Sequence, residues 1–535
     1  MKPIRLIAGF FTVGAWTMAS RVLGFLRDIL IAVMLGAGPV AEAFLIAFSL
    51  PNMFRRFFAE GAFNMAFVPM FSKRIEQGDD PQGFAQQAFS GLAWVLIVFS
   101  VLAIFAMPLL VLAMASGFAG DLRFGLAVDF GRVAFVYILF ISLAALLSGV
   151  LNSLGQFAAA AAAPVLLNII LVTLLLTAES GVLFNLGWIA ALSATGPDGL
   201  HHGQLLVVGV VLAGIAQFAL LWVAARRAGF DFRLTRPRWS PDMRRLLAVA
   251  APAALAGGVI QVNLLVGRQV ASFFDGAVVW LSFADRLYQL PLGVVGIAIG
   301  VVLLPDLSRR LSAGDAAGSQ AALSRAGEIS LALTIPAAMA LAVIPWPLVS
   351  VLFERGAFTS ADSQATALAV AIYGLGLPAF VLQKVLQPLY FARENTRTPF
   401  HYALICMGLN AVIAIGFAPF FGWVAAAWAT TLSAWGMVAL LARGRADMGE
   451  MAQFDARFRQ RIPRQILAAL IMGAVLWGAA YLLTPWLEMA YWRYLALAGL
   501  IGLGGASYAI AAQLTGALSL AELKATLRRR PAPKS

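Results

Sequence analysis

SRVLGFLRDILIAVMLGAGPVAEAFLIAFSLPNMFRRFFAEGAFNMAFVPMFSKR, residues 20–74, is two apolar runs of membrane length with Arg21, Arg27, Asp28, Arg55, Arg56 and Glu60 set inside them. A helix that only anchors a protein gains nothing from such residues, because each charge near the bilayer centre costs about 2.5–3.5 kcal/mol on the mildest insertion scale. The stretch therefore reads as two spanning helices with work to do inside the membrane. Working outward, sparsely charged runs of about 20 residues, the length that crosses a hydrocarbon core, recur from one end of the chain to the other.

The composition agrees. Of 535 residues, 61% are hydrophobic and 12% charged, and the mean hydropathy is +0.87, too apolar for a water-soluble globule. A membrane β-barrel would show short alternating segments instead. The expected fold is an all-α polytopic membrane protein with about fourteen spans, approximately 10–35, 42–71, 86–113, 125–151, 159–179, 203–225, 246–272, 277–305, 328–352, 365–391, 399–418, 423–442, 465–485 and 493–513. The first run has no small-residue cleavage pattern behind it and reads as a retained helix. A single cysteine, Cys406, excludes an intramolecular disulfide, and with His201, His202 and His401 it offers little for a zinc site.

Basic residues set the orientation, since loops kept in the cytoplasm are rich in Lys and Arg. With odd-numbered spans running inside to outside, most of the 38 basic residues fall on one side, and the opposite loops hold only Arg123, Arg355 and Arg493. Both termini are then cytoplasmic. The net charge of +13 is a topology signal and gives no reason to invoke nucleic acid. The amphipathic segment 443–464 is expected to lie on anionic lipid headgroups.

Residues 68–79 read VPMFSKRIEQGD and residues 304–315 read LPDLSRRLSAGD, each following an even-numbered span. Spans 1–6 and 7–12 thus look like two copies in the same orientation, an arrangement in which transporters place substrate between the halves near the midplane. The expected organisation is an N-terminal lobe, 1–226, a pseudo-symmetric C-terminal lobe, 227–443, and a part from 444 to 535 holding the amphipathic segment, the last two spans and a basic tail.

Helical spacing sorts the charges in the spans. Arg56 and Glu60, four apart, and Arg21 and Asp28, seven apart, share faces and read as structural pairs. Asp129 and Arg132 read the same way, and Arg268 and Lys384 as snorkelling side chains. Arg27, Arg55 and Arg286 have no such partner, and Asp285 points away from Arg286; the three arginines either line a polar cavity or make interhelical ion pairs. A cavity lined by arginine suits phosphate or carboxylate oxygens. Pro51 with Asn52 and Pro291 are expected to interrupt their helices, and Gly293, Gly296 and Gly300 serve close packing, a hinge, or both. No glycine-rich nucleotide-binding loop occurs, so direct coupling to ATP is not expected.

SRVLGFLRD (20–28), LPNMFRRFFAEGAF (50–63) with VPMFS after it, ADRLYQLPLGVVGIAIG (284–300), LPDLS (304–308) and LFERGAFT (352–359) resemble the signatures of the MurJ (MviN) family, lipid II flippases of the multidrug/oligosaccharidyl-lipid/polysaccharide exporter superfamily. The resemblance implies fourteen helices in two six-helix lobes plus a final pair that forms a groove for the polyprenyl tail. It implies a central cationic cavity for the pyrophosphate and sugar-peptide head of lipid II, carried across by alternating access to the outer face of the inner membrane of a bacterium. The family's essential arginines fall on Arg21, Arg27, Arg55 and Arg286, which returns Arg21 to the site; Asp28, Glu42 and Asp285 are counted beside them. Glu42 stands where the family often has aspartate, Gln289 where it has glutamate and Val279 where it has serine. Some members bind sodium, and Asn410, Thr430 and Thr431 are the residues available for it here, without a carboxylate in span 11. No cofactor is expected, and the sequence identifies no coupling ion. Lipid II and membrane lipids are the expected partners, with peptidoglycan-synthesis proteins as further ones. Two other readings compete: an exporter of a different polyprenyl-linked glycan or a drug from the same superfamily, and a membrane-embedded enzyme acting on a polyprenyl phosphate. A drug exporter favours carboxylates over arginines, and such an enzyme needs an acidic metal cluster that the scattered carboxylates do not supply.

Overall fold

The computed structural model describes residues 6–56, 62–179, 199–237 and 239–518. Among them there are helices and turns and no β-strand. The helices are α1 (Leu6–Leu35), α2 (Pro39–Arg55), α3 (Ala62–Gln77), α4 (Pro81–Phe105), α5 (Met107–Ala115), α6 (Leu122–Ala134), α7 (Tyr137–Ser153), α8 (Ala158–Glu179), α9 (Leu200–Arg227), α10 (Pro241–Ser272), α11 (Ala277–Ser312), α12 (Ala316–Val343), α13 (Pro345–Phe353), α14 (Ser360–Phe391), α15 (Arg397–Phe421), α16 (Val424–Gly444), α17 (Ala456–Glu488) and α18 (Trp492–Leu514). Nine stretches among the described residues are long and apolar enough to cross a membrane, and α6 with α7, bent by 41°, pass together as a tenth. Every expected span coincides with one helix or with two consecutive helices, the latter being α2 and α3, α4 and α5, α6 and α7, and α12 and α13. An all-helical, multi-pass membrane protein is the result.

Two compact units account for the chain: unit 1 is Met1–Val279 with Arg355–Thr359, and unit 2 is Trp280–Glu354 with Ser360–Ser535. In unit 1, α8 packs on α1 and α9, α2 on α6, and α10 on α3 and α5. Small residues set these approaches. A Cβ at Gly214 of α9 would stand 2.7 Å from the Tyr137 ring, so only glycine lets α9 and α7 come this close. In unit 2, α14 packs against α12 and α16, and α17 against α12 and α18.

The repeated segments have the same local build. α3 and α11 each end in a left-handed glycine, Gly78 at φ 67° and Gly314 at φ 69°. An arginine reaches across each turn to an aspartate five residues on, Arg74 to Asp79 at 3.3 Å and Arg310 to Asp315 at 3.2 Å. An aspartate then caps the next helix: Asp80 accepts from the Gly83 N–H, and Asp315 from the Gly318 N–H.

Two further pieces of unit 1 are held by main-chain bonds. The segment 231–235 lies extended along α4: Gln82 donates to the carbonyl of Asp231, Gln86 exchanges bonds with the N–H and C=O of Arg233, Ser90 accepts from the Thr235 N–H, and Trp94 donates to the Thr235 carbonyl. Four helical residues rise about 6 Å and two extended residues about 6.6 Å, so side chains four apart on the helix meet every second residue of the segment. Elsewhere, the Ala357 N–H donates to the Val33 carbonyl at 2.8 Å. Gly36 and Gly356 make room for this, since a Cβ on Gly36 would collide with the Ala357 oxygen and one on Gly356 with the Val33 oxygen.

The segment expected to lie on headgroups packs by its apolar residues within unit 2. Residues 446–452 form two short 3-10 turns, Ala452 is fully buried among Leu323, Leu386 and Leu389, and Phe454 stacks on Phe458 at 3.8 Å. Asp455 then caps α17, accepting from the Phe458 N–H, and pairs with Arg325 of α12 at 2.9 Å. The apolar residues within the segment, and not only its arginines, decide its course. Next to it Glu328 of α12, 3% exposed, accepts from Arg325, Arg457 and Arg461, which fastens the first turns of α17 to α12.

Candidate functional site

α1 carries Arg27 and Asp28 at 6% and 5% exposure. Arg27 Nε and Nη2 both donate to Asp28 Oδ1, at 3.0 and 2.7 Å, and Nη1 donates to Asn168 Oδ1 of α8 at 3.0 Å. Asn168 is itself oriented by donating to the Ser20 carbonyl at 2.9 Å. Spacing alone assigns Asp28 to Arg21; the structure gives it to Arg27. Seven residues along a helix share a face but stand about 10 Å apart, whereas adjacent side chains can fold together when a third group from another helix holds one of them. Arg21 is half-buried and makes no ion pair among the described residues. The pair buries opposite charges side by side, and breaking such a pair by removing one partner costs about 3–5 kcal/mol.

Arg55 closes α2 half-buried, and Arg56 follows it exposed. Glu60, the expected partner of Arg56, lies outside the described residues. In unit 2, Asp285 is half-buried and accepts from Gln289 one turn on, while Arg286 is exposed on α11. Asp129 and Arg132 form an exposed pair at 3.5 Å; Arg268 is half-buried and Lys384 exposed.

Neither expected helix break falls at its proline. α2 continues through Pro51 to Arg55, with Asn52 Nδ2 bonded to the Phe48 carbonyl in the turn the proline loosens. α11 is helical from Ala277 to Ser312, across Pro291, Gly293, Gly296 and Gly300. Proline removes one N–H, and a long apolar helix tolerates that single loss where the turns on either side keep their bonds.

Glu42, 1% exposed, is engaged away from those arginines. Its Oε2 accepts from Arg123 Nη1 at 2.9 Å and its Oε1 from the backbone N–H of Val278, in the first turn of α11, at 3.2 Å. Arg123 also contacts Asp121 and, at 2.9 Å, Asp275, and lies 4.7 Å over the centre of the Phe118 ring. Counted from sequence as a loop charge, Arg123 is 6% exposed. One signal was available: an arginine in the first turn of a helix opposes the helix dipole and needs carboxylates near it.

No group of three or more His, Cys, Asp or Glu residues able to hold a metal occurs among the described residues. Asn410 donates to Ser433, Thr430 to the Ala426 carbonyl and Thr431 to the Ile372 carbonyl. These bonds use the three groups as donors, and Asn410 Oδ1 is buried without a hydrogen-bond partner, but the three side chains include no carboxylate to offset the charge of a cation.

The family model for lipid II flippase MurJ matches residues 31–497. A probable lipid II flippase MurJ of Rhizobium meliloti (strain 1021) is 42% identical over 531 residues, covering 98% of this chain and 96% of its own. The lipid II flippase MurJ of Burkholderia cenocepacia is 34% identical over 427 residues, covering 78% and 80%. Among solved structures, lipid II flippase MurJ in an inward closed conformation superposes with a TM-score of 0.75 at 24% identity, covering 96% of this chain and 99% of that one. An inward-facing multidrug MATE transporter follows the same fold with a TM-score of 0.64 at 13% identity, covering 82% and 98%. Similarity that runs the length of the chain, at the level of sequence as well as fold, assigns this protein to the MurJ family of lipid II flippases.

Proposed function

We propose that this protein flips lipid II from the cytoplasmic to the periplasmic face of a bacterial inner membrane by alternating access. It acts as a transporter and not as an enzyme. The observation that carries the reading is the family match over residues 31–497. The distribution of Lys and Arg supports a placement with both termini in the cytoplasm.

Substrate recognition is assigned to a cationic cavity to which Arg21, Arg27, Arg55 and Arg286 contribute, with Asp28 and Asp285 as their acidic neighbours. Arg27 explains how such a residue is kept in the membrane. Its guanidinium has five N–H groups, of which three are used on Asp28 and Asn168. The contacts fix the plane of the fork and offset its charge, and two N–H groups remain for pyrophosphate oxygens. Movement between inward and outward states is assigned to Pro51, Pro291, Gly293, Gly296 and Gly300, where a helix lacks an N–H or carries no side chain. Glu42 has a different role in this reading: with Arg123 it ties α2 to α6 and to the start of α11.

The test is depletion of the protein in its own host, followed by an assay of which membrane face holds lipid II. Accumulation on the cytoplasmic face, reversed by wild-type protein and not by Arg27→Ala, is expected. Unchanged sidedness, in a host shown to lack a second flippase, would replace lipid II with another polyprenyl-linked glycan.

A further inference from the structure

Arg393 and Arg445 sit at one corner of unit 2, just beyond the ends of α14 and α16. Tyr390, in the last turn of α14, ties the two helix ends by donating to the Leu441 carbonyl at 2.8 Å, and lies within electrostatic reach of both arginines. Arg393 donates to the carbonyls of Leu389 and Met448 and to the Met448 sulfur. Arg445 donates to the Ala452 carbonyl and lies 4.2 Å over the centre of the Phe454 ring.

All of these partners are uncharged. Among the described residues no carboxylate lies within ion-pair distance of either guanidinium; Glu394, Asp447 and Glu450 in the same loops are exposed and make no ion pair. Burial holds the Arg393 guanidinium below the usual arginine range, since desolvation disfavours its charge. Arg445 Nε is shielded from solvent without an acceptor. The C-termini of α14 and α16 offset part of the charge, but each helix end supplies only about half a negative charge. Two guanidiniums against two helix ends leave roughly one positive charge without a counter-ion.

We propose that Arg393 and Arg445 bind the phosphodiester of an anionic phospholipid at this rim of unit 2. A phosphodiester carries the single negative charge that is missing and presents two oxygens to the arginine forks. Arg393 Nε and the Nη2 group of Arg445 make no hydrogen bond to the described residues and are left to serve it. The apolar surface beside the site favours a lipid over a soluble phosphate: Phe391, Phe400 and Ile405, on the flanking turns of α14 and α15, are 40%, 38% and 57% exposed. The site is independent of the transport reading, since it uses none of the residues assigned to lipid II.

The experiment titrates the purified full-length protein in detergent with phosphatidylglycerol or phosphatidylcholine and follows its melting temperature. Phosphatidylglycerol is expected to raise it by roughly 2–3 °C more than phosphatidylcholine does. Arg393→Gln/Arg445→Gln is expected to lose that difference, and Arg244→Gln, at an exposed arginine of α10 in unit 1, to keep it. Equal effects of the two lipids, or a difference retained in the double variant, would overturn the proposal. A shift reproduced by millimolar inorganic phosphate would overturn the lipid in favour of a soluble anion. Arg445→Lys, which keeps the charge but not the fork, covers a double variant that does not fold: phosphatidylglycerol binding weakened by about tenfold supports the site, and unchanged binding rejects it.

Discussion

Glu42 and Arg123, 81 positions apart in the chain, meet at 2.9 Å with both nearly withdrawn from solvent. The second oxygen of the carboxylate takes the Val278 N–H, so one side chain joins α2, α6 and the first turn of α11.

Removing half of this pair strands the other half. Arg123→Gln is expected to lower stability by about 3–5 kcal/mol, read from thermal unfolding of the detergent-purified protein. Glu42→Gln combined with Arg123→Gln is expected to recover most of it. A double variant as damaged as the sum of the singles would show that the two side chains do not act as a pair.

Arg27 should be intolerant of a change that keeps only its charge. Arg27→Ala is expected to abolish lipid II flipping with normal membrane insertion. Arg27→Lys should reduce it by tenfold or more, because one ammonium cannot hold Asp28 and Asn168 and still present a planar fork. Wild-type flipping by the lysine variant would mean that charge alone suffices.

The turn glycines separate strain from contact. Gly78 has φ 67° and nothing within 4 Å of the place a Cβ would take, so Gly78→Ala should cost about 1–2 kcal/mol from backbone conformation alone. Gly356→Ala adds a collision with the Val33 carbonyl to a similar φ of 57° and should cost clearly more. Equal losses in melting experiments would remove the Val33–Ala357 contact from the explanation.

Glu328 is the shared acceptor of three arginines, and Glu328→Ala should leave them to repel one another. Faster proteolysis within residues 445–455 is expected, with a stability loss of about 3 kcal/mol. An unchanged cleavage pattern would show that packing alone holds α17 to α12.

The spans could be read from sequence because bilayer thickness fixes their length whatever the tertiary contacts. The repeat was legible for a related reason: Arg74, Gly78 and Asp79, like Arg310, Gly314 and Asp315, close a helix end through contacts a few residues long. What escaped depends on distant partners. Nothing near Arg27 announces Asn168, and nothing near Glu42 announces Arg123 or Val278. Pro291 misled for the opposite reason, since a local rule predicts a break that the surrounding helix does not make.

The ladder on α4 is indifferent to most of the side chains it holds. Gln82, Gln86, Ser90 and Trp94 grip main-chain atoms of 231, 233 and 235. The connector is therefore tolerant in composition and strict in length: one residue inserted between 231 and 235 would put the rungs on one side of it out of phase, whereas exchanging Leu234 or Arg236 leaves the grip untouched.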